Sequence, residues 1–373
     1  MIKKYLKKIF KKIVHGIFFK IYGPIINSIE PNQDKRIKVQ SINLDQNLNY
    51  KVYKIVNGRL YTDQIQDTAA ILENKIVKGP SFQLRKGSGN FISNSKITDN
   101  IVFKIGTPRK IKNFNGSVLS LLTGGAGNYN YWHWLFDVLP RFNLCNKFLN
   151  IDEIDYYLFP NLIKKFQTQT LDCLNIPKQK RITSKVFRHI KTRELIVTDH
   201  PVVTSGNSTK DINNIPHWVI LWLRKSFLTK NKIINNNRKK RIYIDRNESE
   251  SKNIPQRILT NENEIKNCLF ENNFFSIKLH ETNFNEQVNM FYNADCVVGM
   301  HGGGFGNIIF CKPGTKIIEL KSFSSGDAIK NLAKKNNLNY ECIEVKSKEL
   351  YKFEFPNQQG AINIPVSSLN KLI

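Results

Sequence analysis

The chain has 373 residues, 40% of them hydrophobic and 23% charged, with six cysteines and a formal net charge of +27. That length and apolar content suffice for two domains, each with its own core, and exclude a small disulfide-stapled scaffold or a disordered polymer. The lysines lie among many asparagines and isoleucines along the whole sequence, so charge alone does not mark a nucleic-acid-binding protein.

The first twenty residues, MIKKYLKKIFKKIVHGIFFK, alternate apolar pairs with lysine pairs. At about 100° per residue, Lys3, Lys4, Lys7, Lys8, Lys11 and Lys12 share one sector and Ile2, Tyr5, Leu6, Ile9 and Ile13 lie opposite, which describes a basic amphipathic helix. Lysines interrupt every apolar run, so this helix can neither span a bilayer nor serve as a signal-peptide core. Two readings stay open: it lies on an anionic membrane surface, or it packs on the protein's own core.

Beyond Pro31, short β-rich runs alternate with helical patterns. Residues 51–56, 117–122, 155–159 and 194–198 read as strands, with a helix at 161–175 between two of them. The stretch 203–214, rich in Ser, Thr, Asn and Gly, reads as a connector, and Pro216 opens a helix through Trp218, Ile220, Leu221 and Leu223. Downstream, 241–244, 275–279, 296–299 and 316–320 read as four strands separated by helical patterns, as in a doubly wound sheet. The expected organisation is α/β: a helix in 1–30, one domain over 31–214, a second over 215–345, and a tail at 346–373.

Two segments carry chemistry. In 124–141, GGAGNYNYWHWLFDVLPR, glycines follow a strand and precede a helix. His133 and Asp137 are four apart and share a helix face, where a carboxylate orients an imidazole and raises its basicity. That pairing suits a general base; the other reading is a hydrogen-bonded core histidine among Trp132, Trp134, Leu135 and Phe136. Pro140 should kink or end the helix and leave Arg141 just past it. In 295–307, DCVVGMHGGGFGN, an apolar strand leads into a glycine turn, and Asn307, Ile308, Ile309 and Phe310 read as a helix start. Amides and a helix N-terminus gathered there favour a phosphate or diphosphate; the plain alternative is a tight turn. The segment lacks the Lys-Ser/Thr ending of a P-loop, and no acidic residue about 20 positions on completes a dinucleotide fingerprint.

No metal or other cofactor is expected. Cys145, Cys173, Cys268, Cys296, Cys311 and Cys342 stand singly, the histidines lack ligand spacing, and no Asp-x-Asp occurs. The cysteines read as buried reduced thiols in a reducing compartment.

Taken in order, these segments resemble glycosyltransferase family 61. NYNYWHWLFDVLPR is similar to the family's helix motif, with Asn130 and Trp132 as small departures from its usual aromatic spacing. RIYIDR, from Arg241 to Arg246, resembles the strand that ends in an arginine, and Arg257 with the region of Asn261, Glu262 and Glu264 resembles the stretch after that strand in the family. EQV from Glu286 and ADCVVGMHGGGFGNIIFCKPGTKIIEL from Ala294 are similar to the donor-domain signature, and the likeness runs from about Gly124 to Leu320. Where the family commonly has Gly-Ala-Gly and then Leu-Thr, this chain has glycines and Phe305, and Gly306 offers no hydroxyl.

The resemblance implies a GT-B fold: two Rossmann-like, doubly wound domains facing a cleft, with acceptor on 31–214 and nucleotide sugar on 215–345. It implies an inverting, metal-independent hexosyl- or pentosyltransferase acting on a glycan or lipid-linked glycan in capsule, lipopolysaccharide or exopolysaccharide biosynthesis. His133 would be the base, oriented by Asp137, with Asp137 the second candidate. His301, Gly302, Gly303, Gly304, Phe305, Gly306 and Asn307 would hold the donor diphosphate with Arg246 and Arg257. Glu319 would bond ribose or sugar hydroxyls, or be an ordinary strand-end carboxylate. Gly125, Asn128, Trp132 and Arg141 would lie on the acceptor side. The first helix would place the protein in the cytoplasm, peripheral on the anionic inner face of the cell membrane, with no nucleic-acid partner. The alternatives are a non-catalytic basic module that binds an anionic polymer, and a GT-B-like transferase of some other group.

Overall fold

The structure is a computed structural model that describes residues 2–45, 48–62, 68–81, 96–122, 129–205, 208–229, 240–246, 257–348 and 360–373. The chain divides into two compact units, Met1–Ile163 with Ile176–Ile212, and Lys164–Asn175 with Asn213–Ile373. The helix read at 161–175 forms as Lys165–Cys173 but belongs to the second unit. There Gln169 accepts a hydrogen bond from the Phe284 amide (3.0 Å), and the Cys173 thiol donates to Asn285 (3.0 Å).

The first unit carries strands β1 (Asn27–Ile29), β2 (Ile37–Asp45), β3 (Leu48–Val56), β4 (Arg59–Thr62), β5 (Thr68–Leu72), β6 (Lys75–Val77), β7 (Lys112–Ser120), β8 (Tyr156–Phe159), β9 (Arg181–Thr183) and β10 (His189–Thr198). Their order is β1-β6-β5-β4-β10-β7-β8-β9, with β3 also on β10 and β2 on β3. Strands β10, β7, β8 and β9 run parallel, whereas β3 and β4 pair antiparallel with successive halves of β10. The expected doubly wound sheet is therefore only the parallel part of a larger mixed sheet. Within its antiparallel extension β3 contains the strand read at 51–56, whereas β4 and β5 escape sequence reading because they are buried at every position and show no period-two alternation. Tyr53, Leu60, Val118, Leu158 and Leu195 share the core that joins the two parts.

Chain order fixes where a site can form. The chain runs β7, β8, β9 outward and then returns to β10 on the other side of β7. The carboxyl ends of β7 and β10 thus flank a topological switch point, where crossovers diverge and leave a crevice.

The second unit carries β11 (Lys240–Ile244), β12 (Arg257–Leu259), β13 (Phe274–Ile277), β14 (Ala294–Met300), β15 (Lys316–Ser322), β16 (Asn339–Val345) and β17 (Gly360–Ile362). Five of them form a wholly parallel sheet in the order β13-β11-β14-β15-β16. This is a doubly wound order, with its switch point between β11 and β14. Cys296, Val298, Met300, Ile318 and Leu320, at alternate positions, pack with Ile265 and Leu269 of the helix Glu262–Glu271. Phe227, Phe284 and Phe310 form a second cluster with ring centroids 4.8 to 6.1 Å apart. Residues 360–373, read as tail, join this unit: β17 pairs in parallel with β12, and Leu369 is fully buried.

Candidate functional site

At the first unit's switch point, the segment after β7 folds around two local constraints. Asn130 caps the turn Tyr131–His133, its side chain accepting from the Trp132 amide at 2.9 Å. Pro140 has no N–H to continue the ladder. The backbone widens instead into a π turn over Trp134–Val138, with the Leu139 amide bonded to the Trp134 carbonyl at 3.2 Å, and restarts as the helix Arg141–Asn146. His133 stands at the junction, its side chain 26% exposed, with Nδ1 2.6 Å from Oδ2 of the buried Asp137. A carboxylate only accepts, so Nδ1 carries the proton and the basic lone pair is on Nε2.

Burial alone would raise the Asp137 carboxyl. The charge and hydrogen bond of His133, with His200 and Arg141, outweigh it and hold Asp137 below the usual carboxylate range. His200, two residues past β10, is a participant that sequence reading missed. Its Nδ1 accepts from the amides of Val202 (3.1 Å) and Val203 (2.9 Å), which leaves Nε2–H facing Asp137 Oδ2 at 3.9 Å. No spacing in the sequence announces it, because only the β7–β10 pairing brings residue 200 beside residue 137.

Arg141, expected on the acceptor side, is instead wholly buried. Its Nε donates to the Asp137 carbonyl (2.8 Å) and Nη1 to Thr198 Oγ1 (3.4 Å), so it braces the π turn from within. Trp132 is buried too, edge-on to Phe136 at 4.7 Å. Gly125 and Asn128 lie outside the described residues.

Burial pushes His200 down to about 3, with Asp137 opposing and Arg141 and His133 adding. It pushes His189 down to about 4, with the Arg109 carbonyl opposing and Arg59 adding. Both stay neutral in the fold while the unfolded chain takes up protons below about pH 6.5. The stability they hold is full above that pH and falls as pH drops toward 4, by about 2 kcal/mol each at pH 5. The melting temperature should therefore fall between pH 7 and pH 5, and by less in His200→Gln; an equal fall in both proteins would contradict the neutral buried imidazole.

The second cluster sits at the other switch point. Arg246 follows β11 and Arg257 opens β12, and their Nη1 atoms meet on the His301 carbonyl at 2.7 and 3.1 Å. Burial holds the Arg246 guanidinium below its usual range. Burial and then the like charge of Arg246 bring Arg257 down to about 10, with Glu319 opposing. A Cβ at Gly302 would lie 2.6 Å from Arg246 Nη1, so a side chain there would displace the arginine.

Beyond His301, Gly303–Phe310 is a 3-10 helix, so the helix read from Asn307 begins earlier, within the glycine turn. The first N–H groups of a helix have no partner within it, and here they belong to the half-buried Gly303 and Gly304. Phe305, Gly306 and Asn307 are buried. The Phe305 ring lies over Gly299, where a Cβ would come within 3.3 Å of it. The Asn307 side chain donates to Gln287 (3.0 Å) and to the Gly304 carbonyl (3.4 Å). These three residues and the buried His301 shape the turn, whereas Gly302, Gly303 and Gly304 form its half-buried part.

Glu319, expected to bond donor hydroxyls, is fully buried and accepts from His301 Nδ1 and from the Tyr340 hydroxyl (2.6 Å). It fixes the His301 ring from inside the sheet. Burial and the neighbouring Glu319 hold the Tyr340 phenol above its usual range. Tyr340 was missed with its strand β16, although Tyr340, Cys342, Ile343 and Val345 after a helical pattern were a readable signal. A shallow concavity adjoins the turn, lined by Arg257, His301, Lys321, Ser322, Ser325 and Gly360. Lys321 is nearly buried and neutralised by Glu344 at 2.7 Å. All six cysteines are free thiols, and among the described residues no cluster of His, Cys, Asp or Glu is arranged to hold a metal.

Two α/β units with parallel-sheet cores, each with polar residues at its switch point, match the architecture of a Rossmann-like glycosyltransferase. The family model described as Glycosyltransferase 61 matches residues 131–318, from the turn of His133 into β15, about half of the chain. The protein belongs to this family and is a glycosyltransferase. No curated protein matches the chain.

Proposed function

We propose that the protein is an inverting GT-B enzyme that transfers a hexosyl or pentosyl unit from a nucleoside-diphosphate sugar to a hydroxyl of a glycan or lipid-linked glycan. Capsule, lipopolysaccharide or exopolysaccharide assembly would use such a step. The observation that carries this reading is the convergence of Arg246 and Arg257 on one carbonyl beside the glycine turn. Two half-buried like charges repel, and a diphosphate held between them relieves that repulsion. A guanidinium has five donors in a fork that fits phosphate oxygens.

In the proposed step the acceptor hydroxyl gives its proton to His133 Nε2 as its oxygen bonds to the anomeric carbon. The bond from that carbon to the diphosphate breaks, and the nucleoside diphosphate leaves with the electron pair. Asp137 stabilises the imidazolium so formed. His200 is a positioning residue that keeps a neutral N–H on Asp137 and so holds it as an acceptor for His133. Charge developing on the leaving group falls to Arg246, Arg257 and the amides of the turn. With no Asp-x-Asp in the sequence, these cations take the part a divalent ion plays elsewhere.

A thermal-shift panel of nucleoside-diphosphate sugars tests this. Ligand at about a hundred times its dissociation constant adds about 2.7 kcal/mol to the stability of the state it binds. At least one donor should raise the melting temperature by several degrees; a flat response across the panel, with no sugar-nucleotide turnover, would overturn the reading.

A further inference from the structure

The helix Ile2–Tyr22 is tied to the first unit at its C-terminal end. The Tyr22 hydroxyl accepts from the Ile111 amide at 3.0 Å, and its ring packs edge-on to His189 at 5.3 Å. Phe18 stacks on Tyr22 at 5.7 Å. These two residues, four apart, define the face turned toward the unit. At about 100° per residue, Lys11 falls on that azimuth, while Leu6, Ile9, Ile13 and Ile17 fall on the other side. Accordingly Tyr5, Leu6, Phe10, Ile13, Ile17 and Ile21 are each more than half exposed. The unit's own core does not cover them. Single exposed apolar side chains are common, but six on one helix form a continuous patch that needs a partner.

Charge decides which partner. Residues 2–22 contain no Asp or Glu, against Lys3, Lys4, Lys7, Lys8, Lys11, Lys12 and Lys20. A second copy of the helix would cover the apolar face but bring no acidic side chain, since residues 2–22 contain none, and so would leave the lysines of both copies uncompensated. An anionic lipid surface answers both halves of the pattern, with acyl chains for the isoleucines and headgroups for the lysines. No helix among the described residues is long and apolar enough to cross a membrane, which leaves the interfacial mode.

We propose that helix Ile2–Tyr22 docks the protein flat on an anionic bilayer, with Leu6, Ile9, Ile13 and Ile17 in the headgroup–acyl boundary. This does not depend on which donor or acceptor the enzyme uses. The full chain should co-sediment with vesicles containing phosphatidylglycerol, bind pure phosphatidylcholine vesicles at least about tenfold more weakly, and release from the former as salt rises. The double variant Ile13→Glu/Ile17→Glu should lose vesicle binding at least about tenfold, with melting temperature and solution mass unchanged. Equal binding to neutral vesicles, or no binding by the parent chain, would overturn the proposal. So would a parent chain that is dimeric in solution and a double variant that is monomeric, since the face would then join copies of the protein.

Discussion

Replacing His133 by alanine is expected to lower kcat by about 10²- to 10⁴-fold, the range supplied by a positioned general base, while donor binding stays intact. The separation follows from the fold: His133 is held by the π turn of the first unit, and the arginine pair belongs to the second. Asp137→Asn should come close to the same loss. An amide can donate to Nδ1, which would place the imidazole proton on Nε2 and remove the lone pair that accepts the acceptor's proton. The measurements are initial rates with saturating donor, and the donor-induced thermal shift. A His133→Ala protein that keeps a tenth of its activity, or that loses donor binding along with turnover, would show that His133 supports structure rather than proton transfer.

The second large effect concerns the arginine pair. Removing one donor aimed at a developing charge costs about 10²- to 10³-fold in rate, so Arg246→Ala and Arg257→Ala should each lower kcat/KM by at least that much. Each should also abolish the donor-induced thermal shift. The same variants should melt, without ligand, close to the parent temperature, because each removes a like charge from its neighbour as well as a hydrogen bond to the His301 carbonyl. Binding lost with stability kept is the signature of a site under electrostatic strain. Were both properties lost together, the pair would be a structural clasp for the turn.

Much of the second unit was legible in the sequence, and the reason is physical. Strands buried in a parallel sheet are short unbroken apolar runs, and 241–244, 296–299 and 316–320 fell within β11, β14 and β15. The glycine turn was legible because only glycine admits Arg246 beside residue 302. His133 and Asp137 were legible because helical spacing is local. What stayed hidden was long-range. His200 reaches Asp137 only through the β7–β10 pairing, and Tyr340 reaches Glu319 only through the β15–β16 pairing. Other misreadings came from burial, which a sequence states weakly for polar residues. Arg141 and Glu319 looked like surface chemistry and proved to be interior braces. In the antiparallel half of the first unit β3 was read at 51–56, whereas β4 and β5 were missed because uniform burial erases the alternation that identifies a strand.

The β12–β17 pair ties the arginine pair to a distant stretch of chain. Arg257 sits opposite Gly360 in that two-stranded ribbon, and Thr260, just past β12, bonds to the Ile362 carbonyl through its amide at 2.8 Å and its hydroxyl at 3.1 Å. Arg257 is thus clamped by a segment outside the stretch that the family model matches, residues 131–318. If the arginine pair holds the proposed donor, ordering of that ribbon and donor occupancy are thermodynamically linked: a substitution that loosens the ribbon should weaken donor binding.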